Sequence, residues 1–285
     1  MALLKTVRSI EELRGLLAEP RAAGKSIGLV PTMGFFHEGH QALMRRSRER
    51  DGAVVVSLYV NPTQFGPSED YLEYPRDFGR DERMAQDVDV DVLFAPPDEE
   101  MYPPGDTTLV EVTGDLTARL CGQYRPGHFR GVATVVTKLL NVVQPHRAYF
   151  GEKDYQQLLV VRRLVQDLHL PVEIIGVPTV READGLAMSS RNTTLTAAGR
   201  RAAAVLYRSL ERARELAAAG ASDARELLAA TGEIIAREPS VKLQYVELAD
   251  AATLAPIDRV TGRAVLAVAA NVDGTRLIDN IIIGG

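Results

Sequence analysis

The 285-residue sequence is short of the features that mark several large protein classes. It holds one cysteine, Cys121, which excludes an intrachain disulfide and leaves no cysteine cluster for a structural zinc. A reducing cytoplasm is therefore the expected setting. No stretch approaches the ~20 apolar residues of a membrane span, and no membrane partner is expected. The opening MALLKTVRSIEELRGLL carries charges every few residues and has neither an apolar core nor a small-residue cleavage site. It does not read as a signal peptide. Basic residues do not dominate: 33 Lys and Arg face 38 Asp and Glu, a net charge of −5. That balance argues against a broad nucleic-acid face, though it permits a local basic pocket for a small anion. Internal repeats and low-complexity segments are absent too.

What is present is an ordinary globular composition, 46% hydrophobic and 25% charged, in a chain long enough for one large domain or two smaller ones. IGLVP (27–31) reads as a strand, 37–50 as a helix, and AVVVSLYV (53–60) as a strand buried on both faces. A helix near 79–88 and the strand DVLFA (91–95) follow. This β-α-β-α-β order predicts a parallel sheet. Beyond a Pro-containing stretch around 96–107, Val132, Val135, Val136, Leu139, Leu140 and Val143 recur at helical spacing. RAYFG (147–151), a helix over 154–169 and VEIIGVP (172–178) continue the alternation.

The first part thus predicts an α/β fold, a doubly wound parallel sheet. Composition then shifts: 197–237 is rich in Ala, Arg and Leu and predicts two helices. VKLQYVELAD (241–250) and RAVLAVAANV (263–272) alternate like strands, and the chain closes on TRLIDNIII. A second, smaller α+β domain is expected, with residues 1–182 in the first domain and 183–285 in the second.

Four segments carry candidate chemistry. PTMGFFHEGH, Pro31 to His40, follows the first strand and opens the first helix. There a sheet presents its carboxyl edge and a helix its unpaired N–H groups, a ready anion site. His37 and His40 lie three apart and can share a face, although two histidines at this spacing also suit a solvent-facing turn. VNPTQFGPSEDYLEYPR follows the second strand, and its Asn61 and Gln64 offer neutral donors and acceptors, or simply a polar loop. In FGEKDYQQL, Lys153 suits phosphates, Asp154 a helix cap or a ribose, and Gln157 the first helical turn. In LAMSSRN, two hydroxyls precede Arg191, which fits a polyphosphate-binding turn or an unremarkable loop. Cys121 has no activating base in sequence and reads as a packing residue. His128 and Arg130 sit in a Gly/Pro-framed loop, RPGHFRG, with a lid as one possible use.

Together these segments resemble the pantothenate synthetase family. PTMG-x-x-H-x-G-H, NP-x-QF followed by ED-x-x-x-YPR, HFRGVATVV-x-K, GEKDYQQL and MSSRN occur in the family's order and approximate spacing. The resemblance runs through the first domain and into the junction, while the last hundred or so residues match in size and composition. Phe35 and Phe36 stand where the family often has smaller or aliphatic residues.

The resemblance implies a Rossmann-like fold similar to the nucleotidyltransferases and class I aminoacyl-tRNA synthetases, with HEGH in the place of HIGH and MSSRN in that of KMSKS. It implies ATP and Mg²⁺ as cofactors, pantoate and β-alanine as substrates, and a homodimer. ATP would be held by Pro31, Met33, Gly34, Phe35, Phe36, His37, Glu38, Gly39 and His40, by Gly151, Glu152, Lys153 and Asp154, and by Val180, Met188, Ser189, Ser190 and Arg191. His40, His37, Lys153, Ser189, Ser190 and Arg191 would act on the phosphates. Gln64, Gln157, Asn61 and Met33 would meet pantoate, with Gln64 also near β-alanine, and Asp81 would contact Mg²⁺. The small domain would close over the site. Another nucleotidyltransferase of the same fold, or a nucleotide-binding module without turnover, is the competing expectation.

Overall fold

A computed structural model of the chain describes residues 4–66 and 71–285. The Glu69-Asp70 pair of the second motif and the first three residues of the opening segment lie outside the described residues. The first sheet comprises β1 (Lys5–Val7), β2 (Ile27–Thr32), β3 (Ala53–Leu58), β4 (Val92–Phe94), β5 (Arg147–Gly151) and β6 (Glu173–Val177). Every pairing is parallel, in the order β1-β4-β3-β2-β5-β6. β1 was not foreseen, because three residues set among charges leave no readable alternation.

The helices of this region are α1 (Ile10–Ala22), α2 (Glu38–Arg50) and α3 (Phe78–Gln86), the one-turn α4 (Asp98–Met101), α5 (Asp115–Ala118) and α6 (Cys121–Tyr124), then α7 (His128–Val143) and α8 (Tyr155–Asp167). α1 starts on a capping box, with Ser9 accepting from the Glu12 N–H and Glu12 reaching back. Successive strand residues point to opposite faces, and the apolar runs of β2 and β3 supply both. Leu29 and Val55 pack with Leu13 and Leu17 of α1, Val136 and Leu139 of α7, and Leu158 of α8. Val30, Val54 and Val56 pack with Leu43 and Met44 of α2 and Ala85 of α3. The sheet is therefore wound on both sides, as its sequence predicts.

From β2 the chain builds outward through β3 and β4, and from β5 it builds the other way to β6. The order reverses between β2 and β5, which are direct neighbours. In open α/β sheets, the crevice beyond the carboxyl ends of strands at such a point is where ligands bind.

The remaining chain forms α9 (Ala197–Ala203), α10 (Val205–Ala218) and α11 (Ala224–Ala236), then β7 (Val241–Asp250), β8 (Ala264–Val272) and β9 (Thr275–Ile283). The two helices expected over 197–237 are three, because α9 and α10 meet at Ala204 without the Gly or Pro that would have flagged a break. β7, β8 and β9 form an antiparallel sheet. Asp273 and Gly274, with φ of 52° and 83°, make the tight turn between β8 and β9. Leu206, Leu210, Leu227 and Leu266 anchor a core of this part. A further cluster crosses between the two sheets, where Phe129 and Val160 meet Tyr245 and Val265.

Candidate active site

A pocket of about 230 Å³ lies beyond the carboxyl ends of β2, β3 and β5, and the four motif segments converge on it. The turn after β2 is held by two devices. The Thr32 hydroxyl donates to the Ser57 carbonyl at 2.7 Å and accepts from the Gly34 N–H at 3.3 Å. Gly34 and Phe35 then adopt positive φ, 82° and 51°, and the next two N–H groups are taken by one side chain. Asp81 of α3 receives both, from Phe35 and Phe36, each at 2.6 Å. Burial pushes the Asp81 carboxyl up, and these two N–H bonds oppose the rise.

His37 caps α2, its Nδ1 accepting from the Gly39 N–H at 3.1 Å. The His37 N–H in turn donates to His40 Nδ1 at 3.3 Å, and the two rings lie 4.1 Å apart. Both Nδ1 atoms are acceptors, so in each neutral ring the proton sits on Nε2. Burial, reinforced by the Lys153 charge, lowers the His37 pKa to about 4. Burial and the neighbouring His37 hold His40 well below its usual range. The site thus presents two uncharged Nε2–H donors.

After β3, Asn61 caps the 3-10 turn Pro62–Gln64. Its amide donates to Gln64 Oε1 and to the Gly131 carbonyl, both at 3.2 Å, and its oxygen accepts from Tyr102 and Thr63 at 2.9 and 3.0 Å. All four hydrogen-bonding positions of Asn61 are taken, so it shapes the pocket wall and orients Gln64. Gln64 Nε2 lies 3.0 Å from the Met33 sulfur. Its main-chain oxygen accepts from His128 Nδ1 at 2.8 Å, while Arg125 donates to His128 Nε2 at 2.9 Å. Val132, Val135, Val136 and Leu139 of α7 make an apolar wall beside these amides.

After β5, Gly151, Lys153, Asp154 and Gln157 line the pocket. The adjacent Gln156 turns the other way and bonds to Leu116, Arg119 and Cys121. The last segment arrives on a hairpin in which Arg181 bridges to Ala187 and the Met188 N–H donates to the Val180 carbonyl at 3.0 Å. Ser189 accepts from the Arg191 N–H at 3.2 Å, and the Ser190 hydroxyl donates to the Phe35 carbonyl at 3.0 Å. The Arg191 guanidinium lies 5.5 Å from the Tyr74 ring centre.

Of the residues singled out in sequence, Pro31, Met33, His37, Gly39, His40, Asn61, Gln64, Gly151, Lys153, Asp154, Gln157, Val180, Met188, Ser189, Ser190 and Arg191 line one pocket. Six do not. Phe36 is fully buried in the core beneath α2, and Gly34 and Phe35 serve the turn through their backbone. Glu38 faces outward to Arg45, and Glu152 offers its carbonyl to Asn280. Asp81 lies outside the lining with both oxygens occupied by main-chain donors. Tyr59, Tyr74, Arg125, His128 and the α7 wall also line the pocket without having been assigned to it. His128 and the Val132 to Leu139 spacing were visible in sequence; their direction was not.

The family model for pantoate-beta-alanine ligase matches residues 5–282. The chain belongs to the pantoate-beta-alanine ligase family. A pantothenate synthetase of Pelotomaculum thermopropionicum is 55% identical over 276 residues, covering 97% of this chain and 98% of that protein. The crystal structure of pantothenate synthetase from Thermus thermophilus superposes with a TM-score of 0.95 at 51% identity, over 99% of this chain and 100% of that one. A pantoate-beta-alanine ligase from Francisella tularensis, solved with beta-gamma ATP and β-alanine, gives 0.81 at 34% identity over 98% of each chain. The present chain is accordingly a ligase of this class, and the pocket at its strand switch point is the candidate active site.

Proposed function

We propose that this ligase condenses pantoate with β-alanine, using ATP, through a pantoyl-adenylate intermediate. One observation carries the reading. The same pocket sets Lys153, Arg191 and two Nε2–H imidazoles beside the amides of Gln64 and Gln157 and the apolar wall of α7. The first group suits phosphates. The second suits the hydroxyls and paired methyl groups of pantoate.

Pantoate's carboxylate is already ionised at neutral pH and needs no general base. Its oxygen attacks the α-phosphorus, the bond to the β-phosphate oxygen breaks, and pyrophosphate departs. The protein's task is positioning and opposing the phosphate charge, which Lys153, Arg191 and the two imidazoles perform. The nucleotide's negative charge favours protonation of His40, which then supplies a proton or a stronger hydrogen bond to the leaving pyrophosphate. In the second step the β-alanine nitrogen, having shed a proton, attacks the acyl carbon, and AMP leaves with the bonding electrons.

Among the described residues, no group of three or more His, Cys, Asp or Glu is gathered to hold a metal ion. The Asp81 oxygens are engaged elsewhere. Mg²⁺ belongs in this proposal as the nucleotide's counter-ion, the form in which it commonly enters phosphate sites, and not as an ion in a protein-built cage. We further propose the division into domains at 1–182 and 183–285, the second closing over the first, together with a homodimeric, cytoplasmic protein. Among the described residues no helix is long and apolar enough to cross a membrane.

The test is pyrophosphate release from ATP, Mg²⁺ and pantoate, first without and then with β-alanine. A pantoate-dependent burst near one equivalent that becomes steady AMP formation on adding β-alanine is the expected result. A folded, ATP-binding protein that ignores pantoate would point instead to another nucleotidyltransferase.

A further inference from the structure

Successive residues of a strand leave it on opposite faces, and in β9 this rule sends two neighbouring polar side chains to two different segments, the Glu152–Asp154 turn and Arg181. Asp279 and Asn280 are both buried, 2% and 8% exposed. The Asn280 side-chain amide spends its two hydrogens on the carbonyl oxygens of Glu152 and Lys153, at 3.0 and 2.8 Å. The Asp279 carboxylate receives Arg181 in a two-pronged pair, at 2.7 and 2.9 Å. Arg181 also donates to the carbonyls of Gly185 and Asn280 and lies 4.0 Å over the Tyr207 ring. The Asn280 N–H closes the group by donating to Asp279 Oδ1 at 2.7 Å.

The consequence is geometric. Lys153 stands on a 3-10 turn, Glu152–Asp154, and two of that turn's carbonyls are fixed by a side chain from the other sheet. Arg181 begins the hairpin that delivers Val180 and the 188–191 loop to the same pocket. Two segments that line one pocket therefore share one anchor.

We propose that the Asp279-Asn280 dipeptide is a positioning element that sets Lys153 and the 188–191 loop for adenylate formation, an inference that rests on the ligase reading above. It acts on the first half-reaction, where phosphate charge must be met, and not on amide formation from a ready-made adenylate. Breaking the Asp279–Arg181 pair would strand a buried charge and destabilise the fold. Asn280, whose loss leaves only neutral carbonyls short of a partner, is the informative position.

In Asn280→Ala, pantoate-dependent pyrophosphate release is expected to slow by roughly ten- to a hundredfold, the scale of an ångström's misplacement. Its KM for pantoate and its rate of pantothenate formation from supplied pantoyl adenylate and β-alanine should stay as in the parent. Introduced into Lys153→Ala, the same change should add little, since the lysine it positions is gone. Equal loss in both half-reactions, or full additivity with Lys153→Ala, would reduce Asn280 to a structural residue and overturn the proposal. Unaltered pyrophosphate release in a folded Asn280→Ala would do the same. The parent enzyme run alongside tests the ligase reading separately: if it releases no pyrophosphate with pantoate, that reading fails before the variant is considered.

Discussion

The hydroxyl of Ser190 donates to the main-chain oxygen of Phe35 across 3.0 Å, joining two turns that lie 155 positions apart in the chain. Phe35 sits at a φ of 51°, a conformation a bulky side chain seldom adopts, and its N–H is spent on Asp81. The turn is therefore gripped through its N–H by one helix and through its carbonyl by the 188–191 loop. Losing one such bond costs roughly 1 kcal/mol. Ser190→Ala should slow adenylate formation about fivefold if that energy is expressed in the transition state, and lower the melting temperature by no more than about 2–4 °C. A variant as fast as the parent would show that the loop reaches the phosphates without this tie.

Lys153 lines the pocket from a turn and carries no core packing. Lys153→Ala should keep the fold while slowing pantoate-dependent pyrophosphate release by roughly a hundredfold or more, the range seen when a preorganised charge stabiliser is removed. Near-normal release from a folded variant would remove the lysine from the phosphate site.

Much of this architecture was legible because two periodicities and four turns carry it. β2 and β3 announce themselves as continuous apolar runs, and three of the four motifs follow a strand, where a parallel sheet exposes its edge. What stayed hidden depends on conformation or distance. Nothing in the letters Phe-Phe shows that one ring enters the core while the other residue turns to positive φ, so the docking of Asp81 onto that turn was out of reach. Gln156 and Gln157 are chemically identical, and only the helix phase sends one to Cys121 and the other to the pocket. Asn280 meets Lys153 across 127 positions, a contact no local pattern encodes.

Gln64 lines the pocket with its amide held between Asn61 and Met33. In Gln64→Ala, a pantoate hydroxyl or carboxylate loses its partner in a desolvated site, which costs about 1–3 kcal/mol. KM for pantoate should rise by roughly tenfold or more, with KM for ATP little altered. Equal increases in both constants would argue that Gln64 supports the pocket without touching pantoate.

The two imidazoles predict an acid sensitivity of stability. In the unfolded chain a histidine titrates near ~6.5, whereas burial lowers His37 to about 4 in the fold. Between those values the unfolded chain takes up a proton that the folded chain refuses, so acid favours unfolding. Stability from this source is complete above about 6.5 and is lost as the pH falls toward 4. His37→Asn keeps a helix-capping acceptor for the Gly39 N–H while deleting the titration. Urea unfolding at pH 7 and pH 5 should show the parent losing more stability on acidification than the variant; parallel losses would show that His37 does not titrate between those limits.

Gly131 links the apolar wall to the amides. A Cβ at this position of α7 would stand 2.3 Å from the Thr63 oxygen and 2.6 Å from the Gln64 Cα, so the helix and the Asn61 turn touch backbone to backbone. Alanine in a helix interior ordinarily favours folding by about 1 kcal/mol over glycine. Here that gain is opposed by overlap with a main chain that cannot swing aside as a flexible side chain would. Gly131→Ala should displace the turn carrying Gln64, giving a net loss of stability and a drop of roughly ten- to a hundredfold in kcat/KM for pantoate. ATP binding, governed by turns on other strands, should change little. Thermal unfolding together with pantoate and ATP titrations checks all three, and a stabilised variant with parental pantoate kinetics would show that this contact does not place Gln64.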